Sequence, residues 1–203
     1  TDDEKIKYDL NVINKNEYPN VDLEKSENYV VVKAEDLANL VGRKYHSKKN
    51  HISYFEKTFD WKYEPINENN IEQCMLLNDH WEGLNLQKNP EEISEECLAI
   101  RKALKDYFKV GFDGGILKLQ GEIVAFTFGE RLNNNTFCTH VEKAYGNVRG
   151  AYQMINREFA RQLQDRYEFI NREEDTGSEG LRRAKLSYQP DKLVIKYSAI
   201  YKG

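Results

Sequence analysis

Three strand-like segments follow one another in the middle of this chain, and they constrain its fold more than any other feature. Residues 115–119 and 123–131 are apolar runs separated by Gln120-Gly121, a pair suited to a tight hairpin. Asn133-Asn134-Asn135 makes a second turn into residues 136–144. The flanking sequence switches to helical spacing. Residues 68–81 place Ile71, Met75, Leu76 and Trp81 on one side, and residues 90–108 repeat Ile93, Cys97, Ile100 and Leu104, with Phe108 beyond. After the meander, residues 150–163 carry Tyr152, Ile155, Phe159 and Leu163 on one face. A strand at 61–66 precedes the first helix. A strand through Tyr167, Phe169 and Ile170, a helix at about 178–188 and a strand at 193–201 close the order. The order predicts an α/β (α+β) chain with a single mixed, mostly antiparallel sheet and helices on both faces. Ile116, Leu117, Val124, Phe126, Phe128, Val141, Ile155, Phe159 and Ile170 are the expected core.

The first third of the chain reads differently. Residues 1–28 are polar and rich in Asn, Lys and Glu, with one short apolar stretch at 10–13, and read as a tail or linker. Residues 29–32 suit a short strand, 33–41 a helix ending at Gly42, and 43–59 a basic helix. Residues 1–59 are therefore set apart from a domain at 60–203. Although only 39% of the 203 residues are hydrophobic, 12% are aromatic, enough to bury a core. The formal net charge of −4 excludes a global nucleic-acid coat or membrane-surface binder, so any such contact needs a local patch. Cys74, Cys97 and Cys138 are far apart and lack CxxC spacing, so unpaired thiols in a reducing, cytoplasmic setting are expected. No apolar run is long enough to span a bilayer.

Chemistry concentrates late in the chain. After the strand ending at Ile170 come Asn171, Arg172, Glu173, Glu174 and Asp175, then Gly177 and Gly180, then a helix with Arg182, Arg183 and Lys185. Charges at the mouth of a buried strand are costly unless paired, so ion pairing is expected, with Asp175–Arg182 and Glu173–Lys185 as first candidates. Lys185 and Tyr188 lie three apart on that helix. Gly146-Asn-Val-Arg-Gly-Ala-Tyr joins a strand to a helix, where backbone N–H groups can bind an anion and Gly150 and Ala151 allow close approach. On the preceding strand, simple alternation puts His140 and Glu142 on one face and Val141 and Lys143 on the other. His140 and Glu142 are thus candidates for one site, where a general base would lie close to an acceptor nucleophile. Residues 43–51, with Lys44 and Lys48, form the most basic stretch and suit phosphate or RNA backbone. No His, Cys, Asp or Glu grouping has metal-ligand spacing, so no metal is expected.

The element order is that of the GNAT acyltransferase superfamily, and the Gly150 turn resembles its pyrophosphate-binding turn, with Asn147 in the first place and Tyr152 where a small residue is usual. Taken together, residues 42–51, 137–144, 149–156 and 171–188 resemble a bacterial family related to the C-terminal catalytic domain of phosphatidylglycerol lysyltransferase. The resemblance implies a tandem GNAT-like protein, of which residues 60–203 would be the second module and 1–59 the tail of an upstream one. It implies transfer of an aminoacyl group from tRNA, with an acid and an arginine beside the reaction centre that match Asp175 and Arg182. Arg149, Gly150, Ala151 and Tyr152 would hold the donor, and Lys44, Lys48, Asn171, Arg172, Glu173 and Lys185 its phosphates or the substrate. The donor would be aminoacyl-tRNA or acyl-CoA, and the acceptor a small molecule, peptide or lipid. The alternatives are an acetyl-CoA-dependent N-acetyltransferase and a non-catalytic GNAT-like binding module.

Overall fold

The computed structural model describes residues 21–201 apart from 88, 175 and 176. Along the chain run β1 (Val21–Lys33), α1 (Ala34–Asn39), a 3₁₀ turn (Arg43–Tyr45), α2 (His46–Thr58) and β2 (Trp61–Pro65). Next come α3 (Ile71–Asn85), α4 (Pro90–Lys105), α5 (Tyr107–Val110), β3 (Asp113–Leu119), β4 (Glu122–Arg131) and β5 (Thr136–Ala144). The chain closes with α6 (Ala151–Leu163), β6 (Phe169–Asn171), α7 (Glu179–Leu186) and β7 (Lys192–Tyr201).

Turn chemistry fixes the central meander. Gln120 and Gly121 both take positive φ, 51° and 92°, the left-handed pair of a type I′ hairpin turn whose twist matches the flanking strands. Among the described residues seven strands form one sheet in the order β2-β3-β4-β5-β6-β1-β7. Every neighbouring pair is antiparallel except β5 and β6. This is the expected mixed, mostly antiparallel sheet.

Helices cover both faces. Val124 and Ala125 of β4 pack with Leu37 of α1, Phe55 of α2 and Ile155 of α6. Ile123, Phe126 and Phe128 pack on the other face with Leu77 of α3, Leu104 of α4 and Tyr107 of α5. Each fully buried Phe or Leu contributes about 1.5–3 kcal/mol of transfer free energy, so β4, buried on both sides, is the spine of the fold. Eight of the nine expected core residues are buried; Val141 is half-buried, because the cleft described below opens beside it.

Three expectations are corrected. Residues 21–28, read as linker, extend β1 and pair with β7 from Val21–Tyr201 to Lys25–Tyr197, resuming at Asn28–Ile195. Their polarity hid the strand, because ladder hydrogen bonds use backbone groups and a neighbouring strand can supply them whatever the side chains. The sheet and core also run across the boundary expected at residue 60. β1 pairs with β6 and β7, and Val32, Leu37 and Phe55 share a core with Met154 and Ile155. Finally, α3 buries Ile71, Cys74, Leu77 and Asn78 rather than Leu76, which is 68% exposed, and beyond α4 Tyr107 is buried while Phe108 is exposed. The three cysteines are free. Among the described residues no helix is long and apolar enough to cross a membrane.

Candidate active site

A parallel strand pair that stops short creates the site. β5 pairs with β6 only from Thr136–Phe169 to Cys138–Asn171. Beyond that, β5 runs on to Ala144 while the chain after Asn171 leaves the sheet, and a cleft of about 810 Å³ occupies the gap. β5, the 172–174 segment, α7, Trp81 of α3 and glutamates of α4 line it.

Arg172 and Glu142 meet across this gap. Arg172 Nη2 lies 3.2 Å from both carboxylate oxygens of Glu142, and Asn156 Nδ2 donates to Glu142 Oε2 at 2.9 Å. The two side chains are only 9% and 16% exposed, so neither charge is tolerable without the other. Arg172 also lies over the Tyr188 ring at 4.8 Å, and Lys48 Nζ lies over the same ring at 4.3 Å. Burial and the nearby Arg172 charge hold the Lys48 ammonium below the ordinary lysine value. Arg172 Nη1 is buried with no hydrogen-bond partner among the described residues. A buried donor without a partner is costly, so this nitrogen is available to an oxygen of a bound ligand.

Tyr188 is positioned from behind. The buried Tyr45 hydroxyl donates to the Tyr188 carbonyl at 3.0 Å. Tyr45→Phe should therefore cost about 1 kcal/mol and lower the melting temperature by roughly 2–4 °C. An unchanged melting curve would show that the bond does not hold the end of α7.

Alternation along β5 breaks at a bulge. Phe128 pairs with Val141 but Gly129 with Thr139, so Thr139 and His140 together oppose one residue. The extra residue breaks the alternation expected between His140 and Glu142: both line the cleft, but Glu142 meets Asn156 and Arg172 while His140 meets other partners. His140 Nδ1 lies 2.8 Å from Glu173 Oε1 and 3.9 Å from Cys138 Sγ, and Nε2 lies 3.1 Å from Glu130 Oε1. Contact with Cys138 and then Glu173 pushes the imidazole up to about 11. On the same strand Lys143 Nζ sits 3.3 Å from the Trp81 ring centroid and 2.8 Å from Glu96, with burial pulling its ammonium down.

Of the residues singled out from the sequence, Lys48, His140, Glu142, Tyr152, Arg172, Glu173, Lys185 and Tyr188 line the cleft. Lys185 Nζ donates to the carbonyls of Arg172 (2.5 Å) and Glu174, so it clamps the segment after β6, and Glu173 turns to His140 instead of Lys185. Others lie elsewhere. Lys44 pairs with Asp36 at 3.2 Å on an exposed face. Arg149 is exposed and stacks on Tyr54 at 4.4 Å. Asn171 is buried, its Oδ1 accepting from the Glu173 N–H at 2.8 Å. Arg182 is exposed on α7, off the cleft wall, and Asp175 lies outside the described residues. Gly150 and Ala151 are buried, and a Cβ on Gly150 would stand 2.6 Å from the His51 carbonyl oxygen. That glycine admits the backbone of α2, so the turn offers its close approach to the protein and not to a ligand. In the sequence reading Asn156 and Tyr45 have no part in the site, and Trp81 is only a residue of a helix face. Only Asn156 carried a signal, as a lone amide beside Ile155 on a helix face otherwise rich in apolar residues.

The sequence matches the family described as phosphatidylglycerol lysyltransferase, C-terminal, over residues 16–200. The chain belongs to this family. A crystal structure of a conserved protein of unknown function from Bacteroides thetaiotaomicron is 41% identical, with a TM-score of 0.82 over 90% of this chain and 63% of that one. The C-terminal domain of a putative lysylphosphatidylglycerol synthetase from Agrobacterium fabrum shares the fold at 14% identity, with a TM-score of 0.67 over 95% of this chain and 65% of that one. An uncharacterized protein of Mycoplasmoides gallisepticum is 27% identical over 95% of this chain and 59% of its own length. The chain thus spans about three-fifths of the length of these relatives.

Proposed function

We propose that the cleft is the transfer site of an aminoacyltransferase whose donor is the acceptor end of a charged tRNA. The observation that supports this most is the Arg172–Glu142 pair, which sets a carboxylate beside a buried guanidinium with one nitrogen unpartnered. Aminoacyl transfer breaks the ester between the amino acid and the terminal ribose and joins the carbonyl carbon to an acceptor oxygen or nitrogen. The acceptor loses a proton and the carbonyl oxygen gains negative charge on the way. Glu142 takes that proton and passes it to the departing ribose oxygen, and Arg172 Nη1 donates to the carbonyl oxygen. Lys48 supplies positive charge for the terminal phosphate. Glu92 and Glu95 of α4 also line the cleft and suit the ammonium of a cationic amino acid, in keeping with the lysyltransferase family to which the chain belongs. Acetyl-CoA is the weaker donor, because the Gly150 turn that would hold its pyrophosphate is filled by the His51 carbonyl. The acceptor is a hydroxyl or amine.

The test is loss of labelled lysine from lysyl-tRNA in the presence of phosphatidylglycerol vesicles or small amines. Glu142→Gln, with circular dichroism confirming the fold, should slow transfer by about 10²–10⁴-fold. Lys48→Ala should weaken the apparent affinity for the donor and leave most of the maximal rate. Transfer by Glu142→Gln at the unaltered rate would remove Glu142 from this role, and no transfer to any acceptor would sink the proposal.

A further inference from the structure

At the wall of the cleft, three chemically different side chains converge without any linear motif to announce them. Cys138 and His140 are two apart on β5, and Glu173 is 33 residues beyond His140. Their candidate ligand atoms all lie within 4.8 Å of one another. Sγ to Nδ1 is 3.9 Å, Sγ to Oε1 is 3.7 Å and Nδ1 to Oε1 is 2.8 Å.

We infer that Cys138 Sγ, His140 Nδ1 and Glu173 Oε1 form a binding site for a divalent ion of the zinc class, with one coordination position open toward the cleft. A tetrahedral zinc with bonds of about 2.0–2.3 Å holds its ligand atoms roughly 3.3–3.6 Å apart, a spacing these three atoms reach by shifts of about half an ångström. The donor set is selective. Thiolate sulfur with imidazole disfavours magnesium and calcium, which take oxygen, and a thiolate plus a carboxylate neutralise a divalent charge.

Two further observations point the same way. The second ring nitrogen of His140 meets the Glu130 carboxylate at 3.1 Å, the outer partner that fixes tautomer and ring orientation in metal-bound histidines. Both mobile ligands are also aimed by irregular backbone. His140 is the extra residue of the β5 bulge, and Glu173 holds a positive φ of 55°, unusual for a non-glycine residue. That conformation is fixed by the Asn171 side chain on its N–H and by the Val30 N–H on its carbonyl. Backbone held in such a region at a cleft is where strain accompanies function. His140 and Glu173 line the cleft and Cys138 lies beneath them, which leaves the remaining position on the open side. The site does not depend on the transferase proposal.

The experiment uses the full chain without an affinity tag, stripped with chelator, then titrated with cobalt(II) and afterwards with zinc against a chromophoric competitor. The expected result is one equivalent bound, with tetrahedral cobalt absorption and a thiolate-to-cobalt charge-transfer band that zinc abolishes by displacement. Cys138→Ser should remove the charge-transfer band. Glu130→Gln, which alters the carboxylate on the far nitrogen of His140, should weaken affinity by about tenfold or more. Absence of stoichiometric binding to the unaltered chain would overturn the site, and so would a charge-transfer band that survives in Cys138→Ser.

Discussion

Arg172→Ala is expected to destabilise the fold by about 3–5 kcal/mol, the usual cost of removing one partner of a buried ion pair. The truncation leaves the Glu142 carboxylate, 16% exposed, with the Asn156 amide as its hydrogen-bond donor among the described residues in place of a guanidinium at 3.2 Å. It also removes the cation lying over the Tyr188 ring at 4.8 Å. For a chain of this size the melting temperature should fall by roughly 6–20 °C. Most of the loss comes from the stranded carboxylate, so Glu142→Gln added to Arg172→Ala should recover part of it, a coupling that a double-mutant cycle reads directly. If Arg172→Ala melts within a degree of the parent, the pair is not buried as described. If the second substitution makes matters worse, the stranded charge is not the cause.

Gly129→Ala should be the most damaging methyl addition in the central strands. A Cβ there would stand 1.8 Å from the Cys138 carbonyl oxygen and 2.9 Å from the Phe137 ring. The obstacle is backbone, so β5 itself must move, and the move falls at the bulge that aims His140. Overpacking of this kind costs about 1–3 kcal/mol or more, a drop of roughly 2–12 °C in melting temperature. Gly146→Ala is the control, since nothing lies within 4 Å of its added Cβ. Equal melting of the two variants would mean that β4 and β5 do not approach as closely as described.

These two sites also mark what is legible in the sequence. The meander is readable because its signals are local. Gln120-Gly121 suits a tight turn, Asn133-Asn134-Asn135 suits a second, and the strand between them is an apolar run, so β5 is expected from Thr136 to Ala144, where it is found. The charge density after Ile170 predicts ion pairing but not its partners: Arg172 pairs with Glu142, and Glu173 and Lys185 take other partners than each other. What stays hidden depends on long-range contact. β1 extends back to Val21 through residues with no strand signal, because β7 lies alongside. A glycine between strand and helix reads the same whether it admits a phosphate or a neighbouring carbonyl, and at Gly150 it is the His51 carbonyl. One bulge residue breaks the register between His140 and Glu142, which take different partners, and alternation cannot foresee a bulge.

Direct binding tests the transfer-site proposal most sharply. Labelled lysyl-tRNA, the same tRNA deacylated, and CoA are each titrated against the chain at fixed salt, because electrostatic contact with phosphate weakens as salt rises. The proposal predicts saturable binding of lysyl-tRNA, tighter than that of deacylated tRNA and weakened by Lys48→Ala, with no response to CoA. Saturable binding of CoA, together with charged and uncharged tRNA bound equally or not at all, would contradict it.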